Sequence, residues 1–355
     1  VDNMNSDFAE FDFKSQNGVE VDITPPGEWM LANLGIDLAA PEFREMPPFK
    51  RAQYRAVKNW LTKYKPKWDA SNLDKVRGYL EAFHHLCEVE NWERASKIIE
   101  INLDIPNNTE LHNLLITWGY YREVIDLYSR LLGKLDRASD AVCFLGLGKG
   151  YHYLEKYDQA ISSYKESLSR MLKIGYSLGV GKVYGSMGNT YLAIREYDRA
   201  ISCYEKCLVI SRETNNQESI GSTLGNLGNI YFALGKYDIA IDYAEQHFII
   251  AEKIGDLQGI GIALTNWGNA LFKLGHHLEA DQNFLRASEI FKQIGDRRCE
   301  ALILYNLATS FQADLGNLPL AIEYCDRALS IATELGIPLA KECQELKEQL
   351  LSKQT

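Results

Sequence analysis

A small residue returns every forty positions: Ala160, Ala200, Ala240 and Ala280, then Ala321 after one extra residue within FQADLGNLPLA. A second series keeps the same step earlier in each unit, at Gly148, Gly188, Gly228 and Gly268, with Ala308 closing it. Self-similarity at a fixed period of this size marks tandem supersecondary units. Large residues track the two series. Tyr151, Tyr191, Tyr231 and Phe311 follow the glycines, Leu271 being the exception, and Tyr157, Tyr197, Tyr237, His277 and Leu318 precede the alanines. Apolar residues between them recur at helical spacing. The residues without bulk let two helices approach, and the large ones fill the gap to the next pair. One pair cannot bury its apolar face alone, so the units must stack.

The segment LGNIYFALGKYDIAIDYA carries the pattern L-G-x2-Y followed by A-x3, and through it the chain resembles the tetratricopeptide repeat family. The usual period of that family is about 34 residues. The six extra residues lengthen the helices by about one and a half turns. Long repeats with a Gly-Asn step look most like those of the Partner of Inscuteable (Pins/LGN) proteins and of bacterial arrays, including cyanobacterial sensor arrays. The resemblance implies an all-α right-handed solenoid whose first helices line a concave wall.

Two degenerate, shorter units precede the five long ones. VRGYLEAFHHLCEVENWERASKII places Trp92 and Ala95, and LHNLLITWGYYREVIDLYSRLL places Tyr121 and Val124, at the turn and small-residue positions. The expected organisation is an acidic, largely disordered segment or linker at 1–48 and a basic amphipathic helix capping the array at 49–71. Degenerate units follow at 72–136, five forty-residue units at 141–335 and a capping helix at 336–355. Within the first segment, GEWMLANLGIDLAAPEF has room for a short docked helix. In the basic helix, Phe49, Ala52, Ala56, Val57, Trp60, Leu61 and Tyr64 form the expected apolar face. Gly336 is a helix stop and Pro338 opens the last helix.

Counting the small Gly as position 8, positions 2, 5, 9 and 12 share one stripe of the first helix. Position 9 reads Lys149, Asn189, Asn229, Asn269 and Thr309. Position 6, at the stripe's edge, reads Gly146, Ser186, Asn226, Asn266 and Asn306, and position 12 reads His152, Leu192, Phe232, Phe272 and Gln312. Asn is a poor helix former, and its recurrence asks for a reason. A primary amide donates and accepts, so it can pair with the backbone of an extended peptide whatever that peptide's side chains. Helices packed about 8–10 Å apart and a strand rise of about 3.3 Å would give one rung to every third peptide residue. In Pins-like proteins the matching Asn residues hold partner peptides, which implies the same task for Asn189, Asn229 and Asn269. The residues themselves leave a second reading open, in which these amides bond a neighbouring repeat or a water. Phe232 and Phe272 likewise divide between pockets for apolar side chains and inter-helix packing.

The chain departs from that family at position 2, where an Arg is usual. Here the residues are Val142, Lys182, Ser222, Ile262 and Leu302, so only Lys182 is cationic. Position 5 lacks the basic residues that a carboxylate clamp needs. The expected ligand is therefore an extended or helical segment with apolar anchors, which makes the chain a scaffold, adaptor or sensor arm.

Other chemistries lack their motifs. GLGKGYHY does not have P-loop spacing, and the tandem pairs His84-His85 and His276-His277 point about 100° apart on a helix, which makes them poor joint ligands. No enzyme, cofactor or metal is expected. The net charge of −10 disfavours nucleic acid as the main partner. However, residues 49–67 carry seven basic residues and no acid. Their aromatic neighbours Tyr54, Trp60, Tyr64 and Trp68 keep nucleic-acid or acidic-partner binding through 50–67 as the rival, alongside a purely structural assembly role. Residues 1–22 carry six acids and one Lys. With Phe8, Phe11 and Phe13, the segment 1–26 could fold back on the basic helix or block the groove. No apolar run reaches the length of a membrane span. The seven cysteines show no C-x-x-C pattern and fit free buried thiols in a reducing, cytoplasmic setting. The acidic N-terminus would suit a linker from a further domain equally well.

Overall fold

The computed structural model of the chain describes residues 24–67, 69–103, 109–312 and 317–353. Phe8, Phe11 and Phe13 of the expected inhibitory tail, and Trp68 of the basic segment, lie outside them. The chain divides into two compact units, Val1–Gly179 and Val180–Thr355. Every regular element among the described residues is a helix, with one isolated antiparallel bridge between Asn102 and Glu110.

The first unit runs α1 (Gly27–Asn33), α2 (Pro41–Glu45), α3 (Pro48–Thr62), α4 (Asn72–Glu88), α5 (Trp92–Ile99), α6 (Leu111–Thr117), α7 (Tyr121–Leu131), α8 (Arg137–Tyr153) and α9 (Tyr157–Ile174). From α3 to α9, described neighbours pack consecutively. The second unit begins within α10 (Ser177–Ala193) and continues with α11 (Tyr197–Glu213), α12 (Gln217–Ala233), α13 (Tyr237–Ile254) and α14 (Leu257–Lys273). It ends with α15 (His277–Ile294), α16 (Arg297–Gln312), α17 (Leu318–Glu334) and α18 (Leu339–Ser352). Successive helices from α11 to α18 pack in antiparallel pairs and onto the next pair, as in an α-solenoid.

The recurring residues have visible jobs. Trp92, Tyr121, Tyr157, Tyr197, Tyr237, His277 and Leu318 each open the second helix of a pair. Asp136, Asn216 and Asp256 cap the N-termini of α8, α12 and α14, each accepting a backbone N–H three residues on. Such a cap contributes about 1 kcal/mol. The Gly series marks the close approach within a pair. A methyl on Gly188 would stand 2.6 Å from the Tyr204 ring, and one on Gly268 2.7 Å from Phe284. The alanines facing them, Ala160, Ala200 and Ala280, are fully buried. At the far end, α18 covers α17: Cys343 and Leu350 are fully buried there, and Lys347 pairs with Asp326 at 2.7 Å.

The N-terminal expectation needs correction over residues 24–48. The short docked helix expected in GEWMLANLGIDLAAPEF is present as α1, and the stretch around it folds with it rather than staying largely disordered. Met30, Leu31, Leu34, Ile36 and Phe43 are buried in the core of the first unit. The Arg94 guanidinium donates to the carbonyls of Leu34 and Gly35 at 2.7 and 2.8 Å, and the Tyr79 hydroxyl donates to the Pro25 carbonyl at 3.0 Å. The apolar residues of 24–46 outweigh the acidity of the residues before them, and long-range partners on α4 and α5 supply what local propensity does not. The basic segment also differs from expectation. Its helix stops at Thr62, and Phe49 and Ala52 face solvent while Tyr54 and Val57 turn inward. Tyr54 packs edge-on against Phe43 at 4.9 Å and accepts from Asn91 at 2.7 Å. Those contacts fix which face of α3 is inward.

Candidate functional site

Within the second unit the first helices of the long pairs present a stripe to solvent. In the second unit Lys182, Ser222 and Ile262 at position 2, and Asn189 and Asn229 at position 9, are exposed. Asn226, Asn266, Asn269, Asn306 and Thr309 are half-buried beside them. Lys149 and His152 occupy the corresponding places in the first unit and are half-buried.

The Asn positions, alike in sequence, differ in what they bond. Asn189 Oδ1 accepts from the Tyr204 hydroxyl at 2.6 Å and from Asn226 Nδ2 of the next first helix at 3.3 Å. Asn269 Oδ1 accepts from Asn306 Nδ2 at 3.2 Å. The side chains at the equivalent pair, Asn229 and Asn266, make no hydrogen bond among the described residues. Tyr204 passes over Gly188 to reach Asn189, whereas the same position is Ala244 in the next pair and Phe284 in the one after, neither with a hydroxyl to offer, so only Asn189 gains this bond. Thr309 instead donates to the Tyr305 carbonyl of its own helix at 2.9 Å.

Position 12 works largely inside each hairpin. His152 meets Tyr157 at 5.8 Å, Phe232 meets Tyr237 at 5.4 Å and Phe272 meets His277 at 5.0 Å, ring centre to ring centre. In each case the partner opens the second helix of the same pair. The rings keep partial exposure, and burial lowers the pKa of His152 below the ordinary histidine value.

A cavity of about 290 Å³ opens between α12, α13 and α14. Ser222, Asn226 and Asn229 stand along it, so it continues the stripe. His247 of α13 also lines it. Only 6% of His247 is exposed, and its Nδ1 is buried without a hydrogen-bond partner. Sequence reasoning missed this residue, yet a signal was present. The same position in the other long repeats is small: Ser167, Cys207, Ala287 and Ala328. Gly221 and Gly225 of α12 make the room, since a methyl on Gly225 would lie 3.0 Å from the His247 ring. Burial lowers the His247 pKa, with Asp256 pulling it partly back up.

The basic segment is arranged differently. Lys50, Arg55, Lys63, Lys65 and Lys67 are exposed, but Tyr54 is buried and the Tyr64 hydroxyl donates to the Asp74 carbonyl at 3.0 Å. His84 and His85 meet Arg130 and Gln53 respectively, across neighbouring helices. Among the described residues no His, Cys, Asp and Glu grouping suits a metal ion, and no helix is long and apolar enough to cross a membrane.

Comparison with known proteins follows this geometry. The sequence profile of the tetratricopeptide repeat family matches residues 179–253 and 259–334. No curated protein shows significant sequence similarity to the chain. Among solved structures, a Signal Transduction ATPase with Numerous Domains (STAND) protein with a tetratricopeptide repeat sensor, from Pyrococcus horikoshii, superposes with a TM-score of 0.63 at 19% identity. The match covers 86% of this chain and 50% of that one, so the chain spans half the length of the STAND protein. The apo form of RapI matches with a TM-score of 0.51 at 17% identity, covering 68% of this chain and 95% of that one. A Rap protein complexed with Competence and Sporulation Factor also scores 0.51, at 14% identity, over 93% and 98%. At these identities the likeness is one of fold. The matched spans coincide with the helix pairs built on the forty-residue step, so residues 179–253 and 259–334 are tetratricopeptide repeats.

Proposed function

We propose that the chain is a protein-interaction scaffold that holds an extended segment of a partner along the first-helix stripe of its second unit. Asn229 carries this reading. It is an exposed mid-helix amide whose donor and acceptor are unspent, beside a cavity and between two rungs already tied to neighbours. An amide in that state can pair with a peptide backbone at little cost. The Rap structure complexed with Competence and Sporulation Factor supports the use of such a fold in holding a partner. The STAND protein offers a precedent for a tetratricopeptide sensor within a longer chain, and a sensor arm is one form this scaffold would take. The half-exposed Phe232 and Phe272 would contact apolar side chains of the segment.

A random displayed-peptide library panned on the whole chain tests the reading. Peptides selected on the wild type should bind the Asn226→Ala/Asn229→Ala variant about tenfold more weakly, the loss expected for one or two hydrogen bonds of about 1 kcal/mol each. Equal affinity for both proteins would remove the amides from the site.

A further inference from the structure

We infer that the cavity between α12, α13 and α14 receives a basic side chain, Lys or Arg, from the segment held along the stripe. This inference rests on the groove reading and names the chemistry of its occupant. The wall carries two carboxylates, Glu218 at the start of α12 and Asp256 at the start of α14, and no Lys or Arg lines the cavity. Among the described residues neither carboxylate forms an ion pair. Glu218 is also particular to this repeat, since the same position reads Leu178, Gln258 and Arg298 in other long pairs.

The rest of the lining suits the stem and the head of such a side chain. Ile254 and Ile262 are 41% and 38% exposed, and with Ile250 they give an apolar flank for methylenes. Long basic side chains bury their stems in this way while the charged head keeps polar company. His247 adds a buried polar group with no partner, and an unpaired buried polar atom is costly unless something completes it. A neutral imidazole has one nitrogen able to accept from an ammonium or guanidinium. The lowered pKa of His247 favours that neutral form. The volume, about 290 Å³, lies at the foot of the range for ligand pockets, which suits one side chain better than a cofactor. The space exists because Gly221, Gly225 and Gly259 contribute no side chains to it.

The same panned peptides supply the test, measured by calorimetry against the whole chain and its Glu218→Gln/Asp256→Asn variant. Asn caps a helix as well as Asp, so the variant keeps the α14 start and circular dichroism should show unchanged helix content. The expected result is a Lys or Arg enriched at one peptide position and at least tenfold weaker binding to the variant. Replacing that peptide residue by norleucine should cost tenfold on the wild type and little on the variant. Peptides without an enriched basic position, or equal affinity for both proteins, would overturn the inference. If binding falls in Asn226→Ala/Asn229→Ala but not in Glu218→Gln/Asp256→Asn, the groove stands and the cationic pocket does not. If no peptide is enriched, or if neither variant changes affinity, both fall.

Discussion

Asp281 shows how a single position can act against its own repeat. The other four long repeats carry Ile161, Ile201, Ile241 and Ile322 there. Asp281 is only 9% exposed, and its Oδ1 has no hydrogen-bond partner, nor does Ser310 Oγ, also buried. Burial raises the carboxyl pKa above its ordinary 3.8, with the charge of His277 pulling it only partly back. An unsatisfied buried polar group costs about 1–3 kcal/mol. Asp281→Ile is therefore expected to raise unfolding stability by about that amount at neutral pH, measured by urea denaturation. The pH dependence has a definite sign. A carboxyl whose folded pKa is raised binds more protons in the native state, so its penalty is full above that pKa and fades as pH falls through it. The gain of the Ile variant should shrink toward pH 4, and a gain that is constant with pH would argue against a buried charge as its cause. The Asn positions make the same point for the site. Their recurrence was legible in the sequence, but their inequality was not, because it depends on side-chain contacts between neighbouring helices, such as Tyr204 with Asn189 and Asn306 with Asn269.

The elements were legible where two residues per hairpin repeat, and illegible where contacts are long-range. Forty-residue spacing places α8 to α17, and the opening large residues, Tyr157, Tyr197, Tyr237, His277 and Leu318, mark the start of each second helix. A short docked helix in 27–43 was readable, but the folding of residues 24–46 depends on Arg94, Tyr79 and Tyr54, sixty or fewer residues away, and no local pattern announces those partners. The hairpin turns carry a further regularity. The second residue after the first helix is left-handed in successive pairs, at Glu155, Arg195, Gly235 and Gly275, with φ of 59°, 60°, 72° and 85°. Two of the four are Gly, which takes this conformation freely, while a side chain there costs about 1–2 kcal/mol. Part of that is offset by the greater freedom of Gly in the unfolded chain. Arg195→Gly is expected to stabilise the second unit by about 0.5–1 kcal/mol, read as a rise in the urea midpoint at unchanged slope. A fall would show that the Arg195 side chain contributes more than its backbone strain removes.

At the scale of the whole chain, the cysteines provide a probe in both units. Cys87 and Cys143 lie in the first, and Cys203, Cys207, Cys299, Cys325 and Cys343 in the second. All are free, and all but the half-buried Cys299 are buried. Their placement on apolar helix faces was readable from periodicity. Their chemistry needed the packing, because burial pushes the Cys87 and Cys325 thiols up to about 11 and the Cys143, Cys299 and Cys343 thiols up to about 12. The thiolate is the reacting form. A disulfide reagent at pH 8 should therefore react with the native chain slower by roughly two orders of magnitude or more than with the chain in guanidinium chloride, where all seven thiols become available. Repeat arrays open locally as well as globally, so the residue labelled first is informative. Early labelling of Cys325 and Cys343 together would mean that α18 detaches before the second unit unfolds, because the Cys325 thiol donates to the Cys343 carbonyl at 3.2 Å beneath that helix. Early labelling of Cys207 would place the first opening between α11 and α12, where its sulfur stands 3.4 Å from the Thr223 hydroxyl. Labelling of any of the six buried thiols in the native chain at the denatured rate would contradict the packing described for its helix.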